Sequence, residues 1–501
     1  MTEQTAPVVL YELNEVPWRV IDWYVERRPK SCLAATVACA QTFTSITHDT
    51  GELHPWVTWP TLHRSVYNSA HGIGFINQDL SHATAYPPLW EKIARAGKSV
   101  GIFGSLQSYP PPTDGTYAFY VPDTFAAGPE TLPPRYACFQ RLNLRQTSTD
   151  RGGAKEVSAT KDTIKDLFAL VQNGLTAKTV ARLGAQLVSE RVDPIHRTRR
   201  PMLQAPVAFD VFRHALQRST PDFCTFFTNH VAGIMHRYWK YAFPEDFGYV
   251  LSGKTDHFHV ESLLIAMDYA DEQLAYLRSW IERRHGILYV ASSMGQEAIE
   301  REQEDEVFID DMDRFLQRLR FSGHVESRMA MHPDYSFALK DETDAATFAG
   351  VLRILQRKDR KPAFFNIDVA GTTVGAAIGS GSGFGLQEDE GFIYLPGDGE
   401  REVVPFKDLG LKAMRRDVGT GYHQPLGSLI RFGNGVAANP DRTKIETIAI
   451  AAMIMSDLRL EQGALECATS VEPASARRPT QSSPASQVMC SDNGQRYGAR
   501  Q

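Results

Sequence analysis

The sequence predicts an α/β fold: a three-layer α/β/α sandwich with a mostly parallel central sheet and cap insertions. Two observations carry this prediction. Short apolar, β-branched runs recur along the chain, and helical patterns alternate with them, which is the signature of a sheet covered on both faces. A third observation bounds it: the chain has 501 residues, too many for one ordinary core but suited to one large α/β domain carrying insertions.

The elements follow in order. Val8–Leu13 ("VVLYEL") reads as a first buried strand that ends at polar Asn14 and Glu15. Leu89–Ala96 reads as a helix and Lys98–Ser105 ("KSVGIFGS") as a second strand. Asp222–His230 ("DFCTFFTNH") is a third. Met267–Arg283 is a long helix with apolar Met267, Leu274, Leu277 and Trp280, and "GILYVASS" from Gly286 is a fourth strand. That strand stops at Ser292, Ser293, Met294, Gly295 and Gln296. In an open α/β sheet, ligands bind at such strand ends.

Residues 1–140, 206–300 and 411–462 are assigned to the core. Residues 141–205 are a helical insertion, with "IKDLFALVQNGLTAKTVARLGAQLVSE" giving two amphipathic helices. Residues 301–410 form a cap subdomain. Its glycine patch Gly375–Gly385 lacks the Lys-Ser/Thr of a phosphate loop, so it is expected to be a flexible hairpin or lid. Residues 468–501 are rich in Ser, Pro, Ala and Gln and are expected to be disordered.

Composition excludes several function classes. Hydrophobic residues make up 43% and charged residues 22%, both ordinary for a globular protein. The formal net charge of −6 provides no polyanion-binding field, so neither nucleic acid nor a membrane is expected as a main partner. The basic run His196–Arg200 ("HRTRR") reads as a solvated loop. Cys32, Cys39, Cys138, Cys224, Cys467 and Cys490 form no CxxC pair and fit no zinc knuckle. No secretory leader pattern and no run of about 18 apolar residues stands in the sequence. A cytoplasmic, reducing location is the expectation.

Four constellations could carry chemistry. Thr58 lies in "TWPT", expected as a turn just before a helix with Pro60 in its first turn. It is either a helix-capping threonine or a hydroxyl placed where an anion is favoured. His230 and His236 in "TNHVAGIMHRYW" are six residues apart. On one helix that is about 600°, so they would face apart; they converge only if His230 ends the strand. His423 stands in a glycine-flanked loop before the apolar run "GSLIRF". Glu12, Asn14 and Glu15 stand at the end of the first strand, where residues two apart share a face. Trp56, Trp59, Tyr238, Trp239 and Tyr422 suggest either an aromatic cleft wall or core packing.

Taken in order, these segments resemble the alkaline phosphatase superfamily, nearest its type I phosphodiesterase/nucleotide pyrophosphatase branch. That family runs strand–Asp-Gly, Thr-Phe-Pro-Asn with His-Gly-Ile, Asp-x-x-x-His, Asp-His-Gly and a late His. This chain has "VVLYELNE", "TWPT" with "HGI" at His71–Ile73, "MHRYW", "SMGQ" and "GYHQPLG", and the helix–strand "PLWEKIARAGKSVGIFGS" also looks familial. The resemblance implies a two-zinc site with metals about 4 Å apart and a covalent threonine ester. Thr58 matches the nucleophile, and His236 and His423 match two ligands of one metal. Elsewhere the pattern departs. The first aspartate falls on Asn14, the aspartate four before the histidine on Ala232, and the Asp-His pair on Ser293 and Met294.

Serine and methionine are poor zinc ligands, so one family metal position has lost its donors. The expected site is therefore remodelled, with one divalent metal, zinc, rather than two. His236, His423, His230, Asn14 and Glu15 are its candidate ligands. Ser293, Gln296, Asn229 and Trp59 are candidate substrate contacts, and Met294 marks the altered position rather than a ligand. "TDHFH" at Thr255–His259 is a further possible donor segment, read as a solvent-facing loop. The reading is a metal-dependent hydrolase or transferase acting on a small-molecule phosphate, phosphonate or sulfate ester. Its alternatives are a non-hydrolytic transferase or other enzyme on the same scaffold, and a non-catalytic ligand-binding member. Substrate identity and oligomeric state stay open.

Overall fold

The computed structural model describes residues 6–76, 78, 80–113, 115–149, 161–300, 305–328, 330, 334–357, 360–378, 391–394, 402–415 and 419–460. The expected disordered tail 468–501, with Cys467 and Cys490, lies outside them.

The central sheet is built from β1 (Val8–Leu13), β2 (Gln41–Ile46), β3 (Val100–Phe103), β4 (Tyr117–Val121), β5 (Phe223–Thr228) and β6 (Ile287–Ala291). Late in the chain, β17 (Leu429–Gly433) and β18 (Asn439–Glu446) complete it, in the order β18-β2-β17-β6-β1-β5-β3-β4. All pairings are parallel except those of β17 with β2 and β6. β1 is central, and all six of its residues are buried. Its alternation divides the molecule into layers. Val9, Tyr11 and Leu13 join the core cluster under one helical layer, where Tyr11 Oη donates to Gln273 on the helix Gly253–Glu282 at 2.7 Å. Glu12 points the other way and meets His63 on the helix Pro55–Arg64 at 2.7 Å.

Because the parallel strands share one direction, the C-terminal ends of β1, β2, β5 and β6 gather at one edge, beside the start of β17. This is the edge where an α/β sheet builds its sites. Two glycines let the loops there approach. A Cβ on Gly295 would sit 2.2 Å from the Leu426 carbonyl oxygen, and one on Gly427 would sit 2.4 Å from that of Ser292.

A second layer of structure is inserted after β6. β7 (Gly295–Ala298) pairs antiparallel with β16 (Gly421–Gln424), and β8 (Asp305–Ile309) with β15 (Leu411–Arg415), so the chain leaves and returns through two-stranded ribbons. Between them β9 (Val325–Arg328), β10 (Asp334–Leu339), β11 (Phe364–Ala370) and β12 (Thr373–Ile378) form an antiparallel sheet in the order β11-β12-β10-β9. β13 (Gly391–Tyr394) and β14 (Glu402–Pro405) pair beside it. This cap has its own core around Phe315, Phe337, Phe348 and Leu352. The glycine patch therefore begins as the buried strand β12, not as a flexible hairpin, because its Ala and Val side chains fill the cap core. Its residues 379–385 lie outside the described set.

Three further expectations are corrected. The helix carrying Thr58 begins at Pro55, which takes the first-turn place expected of Pro60; Pro60 is interior. "TDHFH" is helical, inside Gly253–Glu282, with Asp256 and His259 buried. The run "HRTRR" is part of a 3-10 helix, and its Arg199 is buried on Ser262.

Asp334, at the start of β10, allows a pH prediction. Burial and then the nearby Glu52 carboxylate push its carboxyl up to about 7. The folded protein thus holds a proton that the unfolded chain releases near pH 4. Stability is expected to fall as pH rises from about 4 to about 7, by roughly 2–4 kcal/mol. Urea denaturation of Asp334→Asn across that window is expected to lose most of the slope; an unchanged slope would assign it to other groups.

Candidate metal centre

Three strand-end segments bring Glu15, His236 and His423 together, their ligand atoms all within 4.8 Å of one another. Glu15 follows β1 with φ +60, a left-handed conformation that a non-glycine residue adopts at a cost and that recurs at functional sites. His236 comes from the helix His230–Ala242 that follows β5. His423 comes from β16, opposite Gln296 on β7.

The two histidine segments are stitched to each other. The helix kinks at Tyr238. There Lys240 N–H donates to Thr420 Oγ1 at 3.1 Å, and the His236 carbonyl accepts Thr420 N–H at 2.8 Å. Thr420 thus replaces a rung of the helix ladder, which is the physical cause of the kink. His236 Nδ1 donates to the Gly421 carbonyl at 2.9 Å, leaving Nε2 turned toward Glu15.

His236 Nε2 lies 3.0 Å and His423 Nε2 3.5 Å from Glu15 Oε2. Because His236 Nδ1 is the donor to Gly421, its Nε2 in the neutral ring is an acceptor like the carboxylate oxygen, so that 3.0 Å approach requires a cation or a second proton on the ring. His423, whose Nδ1 is unpartnered, can donate from Nε2 itself. The donor set of two imidazoles and one carboxylate suits Zn²⁺ with an open fourth position. His423 Nδ1 and Gln296 Oε1 are buried without partners beside it. The residues therefore fit a metal. Burial alone would raise the Glu15 carboxyl, but His423 and His236 outweigh it and hold it well below the usual carboxylate range. His236 is the open side of the cluster at 31% exposure, against 2% for Glu15.

Asn14 and His230 make other contacts in this arrangement. Asn14 Oδ1 accepts Trp59 Nε1–H at 2.7 Å, and its Nδ2 donates to Glu15 Oε1 at 2.8 Å and Asn229 Oδ1 at 2.6 Å. Asn14 therefore orients Glu15 through its amide nitrogen while its oxygen accepts from Trp59. His230 accepts from Thr228 Oγ1 at 2.7 Å through Nδ1 and donates to the Ala266 carbonyl at 2.8 Å through Nε2. Both nitrogens are occupied, and burial pushes its pKa down to about 4. The two histidines of that helix face apart, as their spacing requires.

Of the candidate substrate contacts, Trp59 is fully buried and serves as the donor to Asn14 rather than as cleft wall. Gln296 is buried and donates through Nε2 to Glu15 Oε2, so it supports the carboxylate. Asn229 is half-buried and borders a cavity of about 210 Å³. Ser293 is fully buried, its Oγ 2.7 Å from Thr58 Oγ1. Thr58 is likewise fully buried, in the first turn of its helix. Met294 is buried as well. Of the aromatic set, Trp239 is core, Tyr238 and Tyr422 are half-buried, and Tyr422 stacks on His423 at 4.6 Å.

His54 stands beside the cluster and was not among the candidates read from the sequence. Its ring stacks on Trp56 at 4.3 Å and meets His423 edge-on at 5.6 Å. Trp56 in turn lines a cavity of about 870 Å³ that runs between Gln107, Phe125 and the cap residues Glu326–Arg328. The available signal was a histidine directly before the proline that starts the Thr58 helix.

Comparison with known proteins completes the picture. No family model matches the chain, and no curated protein matches it in sequence. Among solved structures, murine ectonucleotide pyrophosphatase / phosphodiesterase 5 is similar at 11% identity and TM-score 0.38, covering 91% of this chain and 95% of that one. A mutant of the alkaline phosphatase PafA is similar at 10% identity and TM-score 0.40, covering 93% and 98%. Phosphonoacetate hydrolase from Sinorhizobium meliloti in complex with phosphonoformate is similar at 10% identity and TM-score 0.36, covering 90% and 96%.

Proposed function

We propose that the chain is a metal-dependent enzyme of the alkaline phosphatase type that hydrolyses phosphate or phosphonate esters at a single-metal site. The observation that carries this reading is the convergence of Glu15, His236 and His423 at the strand ends. Two of these residues stand where the motif resemblance expects ligands. Glu15, next to Asn14, supplies the carboxylate that the departure at Asn14 removed.

Bound there, a zinc ion would supply Lewis-acid stabilisation of a phosphoryl oxygen. The chain's own residues do the rest. Asn14 and Gln296 hold the Glu15 carboxylate from two sides. The cavity beside Trp56, bordered by the cap residues Glu326–Arg328, gives the leaving group a place. Thr58 is the nucleophile in this reading, its hydroxyl held by Ser293. The Oγ1–P bond forms as the P–O bond to the leaving alcohol breaks, that alcohol carries away the proton Thr58 gives up, and water then hydrolyses the threonine ester. Because Thr58 is fully buried in this arrangement, attack requires Ser293 to turn aside when substrate enters.

The test combines a phosphate- and phosphonate-ester turnover panel with Thr58→Ala and Thr58→Ser. Thr58→Ala is expected to lower kcat by about 10³-fold or more with metal content unchanged, and Thr58→Ser to keep a measurable part of it. Full turnover by Thr58→Ala would remove the covalent step and leave a non-covalent reaction at the same cluster. Absence of turnover and of metal uptake in the unaltered protein would end the reading.

A further inference from the structure

Seven of the eleven large apolar side chains that stand exposed among the described residues lie between Leu167 and Val192. They belong to the helices Lys161–Gln172 and Ala177–Val192. Phe168 is 70% and Val192 81% exposed, with Val171, Leu187 and Val188 beside them on the outward faces. The polar residues run the opposite way. Asp166 is buried and bonded by Arg141 and Arg145, and Glu190 is buried and bonded by Arg200. The helices keep a core anchor in Leu170, but bury Asp166 and Glu190 while leaving these seven large apolar side chains in solvent, an exposed apolar face that a packed helix does not carry.

The charge balance identifies what fits such a face. Residues 161–200 carry eight Lys or Arg against four Asp or Glu, a net +4 in a chain whose total is −6. Two of the four acids are the buried, paired ones. The outward surface therefore combines apolar side chains with exposed Lys165 and Arg191, while Lys178, also exposed, pairs with Glu272 at 2.9 Å. Two copies of this surface brought together by a twofold axis would oppose like charges. An anionic lipid surface complements both features, since headgroups attract the lysines and arginines while Phe168 and its neighbours enter the acyl boundary.

We propose that this helical pair is a peripheral docking surface for anionic lipid membranes. The whole-chain charge, which predicts no membrane partner, hides it because the acidic excess lies elsewhere in the sequence. No helix among the described residues is long and apolar enough to cross a membrane.

The test is co-sedimentation of the full chain with phosphatidylcholine vesicles, with and without about 30 mol% phosphatidylserine. The unaltered protein is expected to pellet with the anionic vesicles, and the fraction bound to fall as salt rises from about 0.1 to about 0.5 M. Phe168→Glu/Val188→Glu is expected to weaken binding at least about tenfold, and Lys165→Glu/Arg191→Glu to abolish the preference for anionic lipid. These side chains are exposed, so the variants are expected to melt like the parent; Phe168→Ser alone serves if they do not. Failure of the parent to pellet, or undiminished binding by Phe168→Glu/Val188→Glu, would overturn the proposal. So would a dimer in light scattering that the same double variant converts to monomer, which would give the face to a second copy.

Discussion

Glu15→Gln is expected to purify with less than about a tenth of the metal held by the parent protein and to lose about 10³-fold or more in ester turnover. The amide keeps the shape of the side chain and its contact with Asn14. It removes the only carboxylate among the three donors and the negative charge that both imidazoles face. Loss of supporting groups around a metal costs about 10–100-fold in affinity, and loss of a ligand costs more. Elemental analysis after dialysis against chelator, followed by zinc titration, reads the effect directly. Equal zinc stoichiometry and affinity in Glu15→Gln would show that the cluster is an ion-paired network and not a metal centre.

His63→Ala is expected to cost about 3–5 kcal/mol of folding stability, the largest single-residue loss anticipated outside the metal centre. Glu12 and His63 are 0% and 1% exposed and meet at 2.7 Å. His63 is also lodged against Trp90 at 4.7 Å and Trp59 at 5.6 Å. Deleting the imidazole leaves a buried carboxylate without its partner and opens a cavity between two tryptophans. Glu12→Leu/His63→Leu removes both polar groups together and is expected to recover most of the loss. Urea denaturation of the two single and the double variants gives the coupling. A double variant no more stable than His63→Ala would place the cost in packing rather than in the stranded charge.

The strands were legible because β1, β5 and β6 are buried on both faces, and so read as continuous apolar runs ended by polar residues. The candidate site was legible as a set of residues but not as an arrangement. Glu15, His236 and His423 stood among the candidates, and so did Asn14, whose oxygen meets Trp59, and His230, whose nitrogens meet Thr228 and Ala266. What separates them is long-range. The Ala266 carbonyl that occupies His230 comes from a helix 36 residues on, and the Trp59 indole that occupies Asn14 from 45 residues on. No local spacing encodes either partner. The start of the Thr58 helix was misplaced for a local reason: two prolines competed for its first turn, and Pro55 took it. "TDHFH" was misread because its polar residues hide a helical start that Gly253–Glu282 continues without a break.

The ribbon of β7 and β16 has a mechanical consequence. His423 and Gln296 sit on the two strands through which the chain passes into and out of the cap, so the centre is mounted on the lever that carries the cap. A rotation of the cap that bends this ribbon alters the distance between His423 and Glu15. Linkage then works in both directions. Under the metal-centre reading, a molecule that holds the cap in one orientation is expected to change the grip on the cation, and the cation to bias the cap in return. Metal affinity measured with and without a cap-binding ester should therefore differ by the same factor as ester affinity measured with and without the metal.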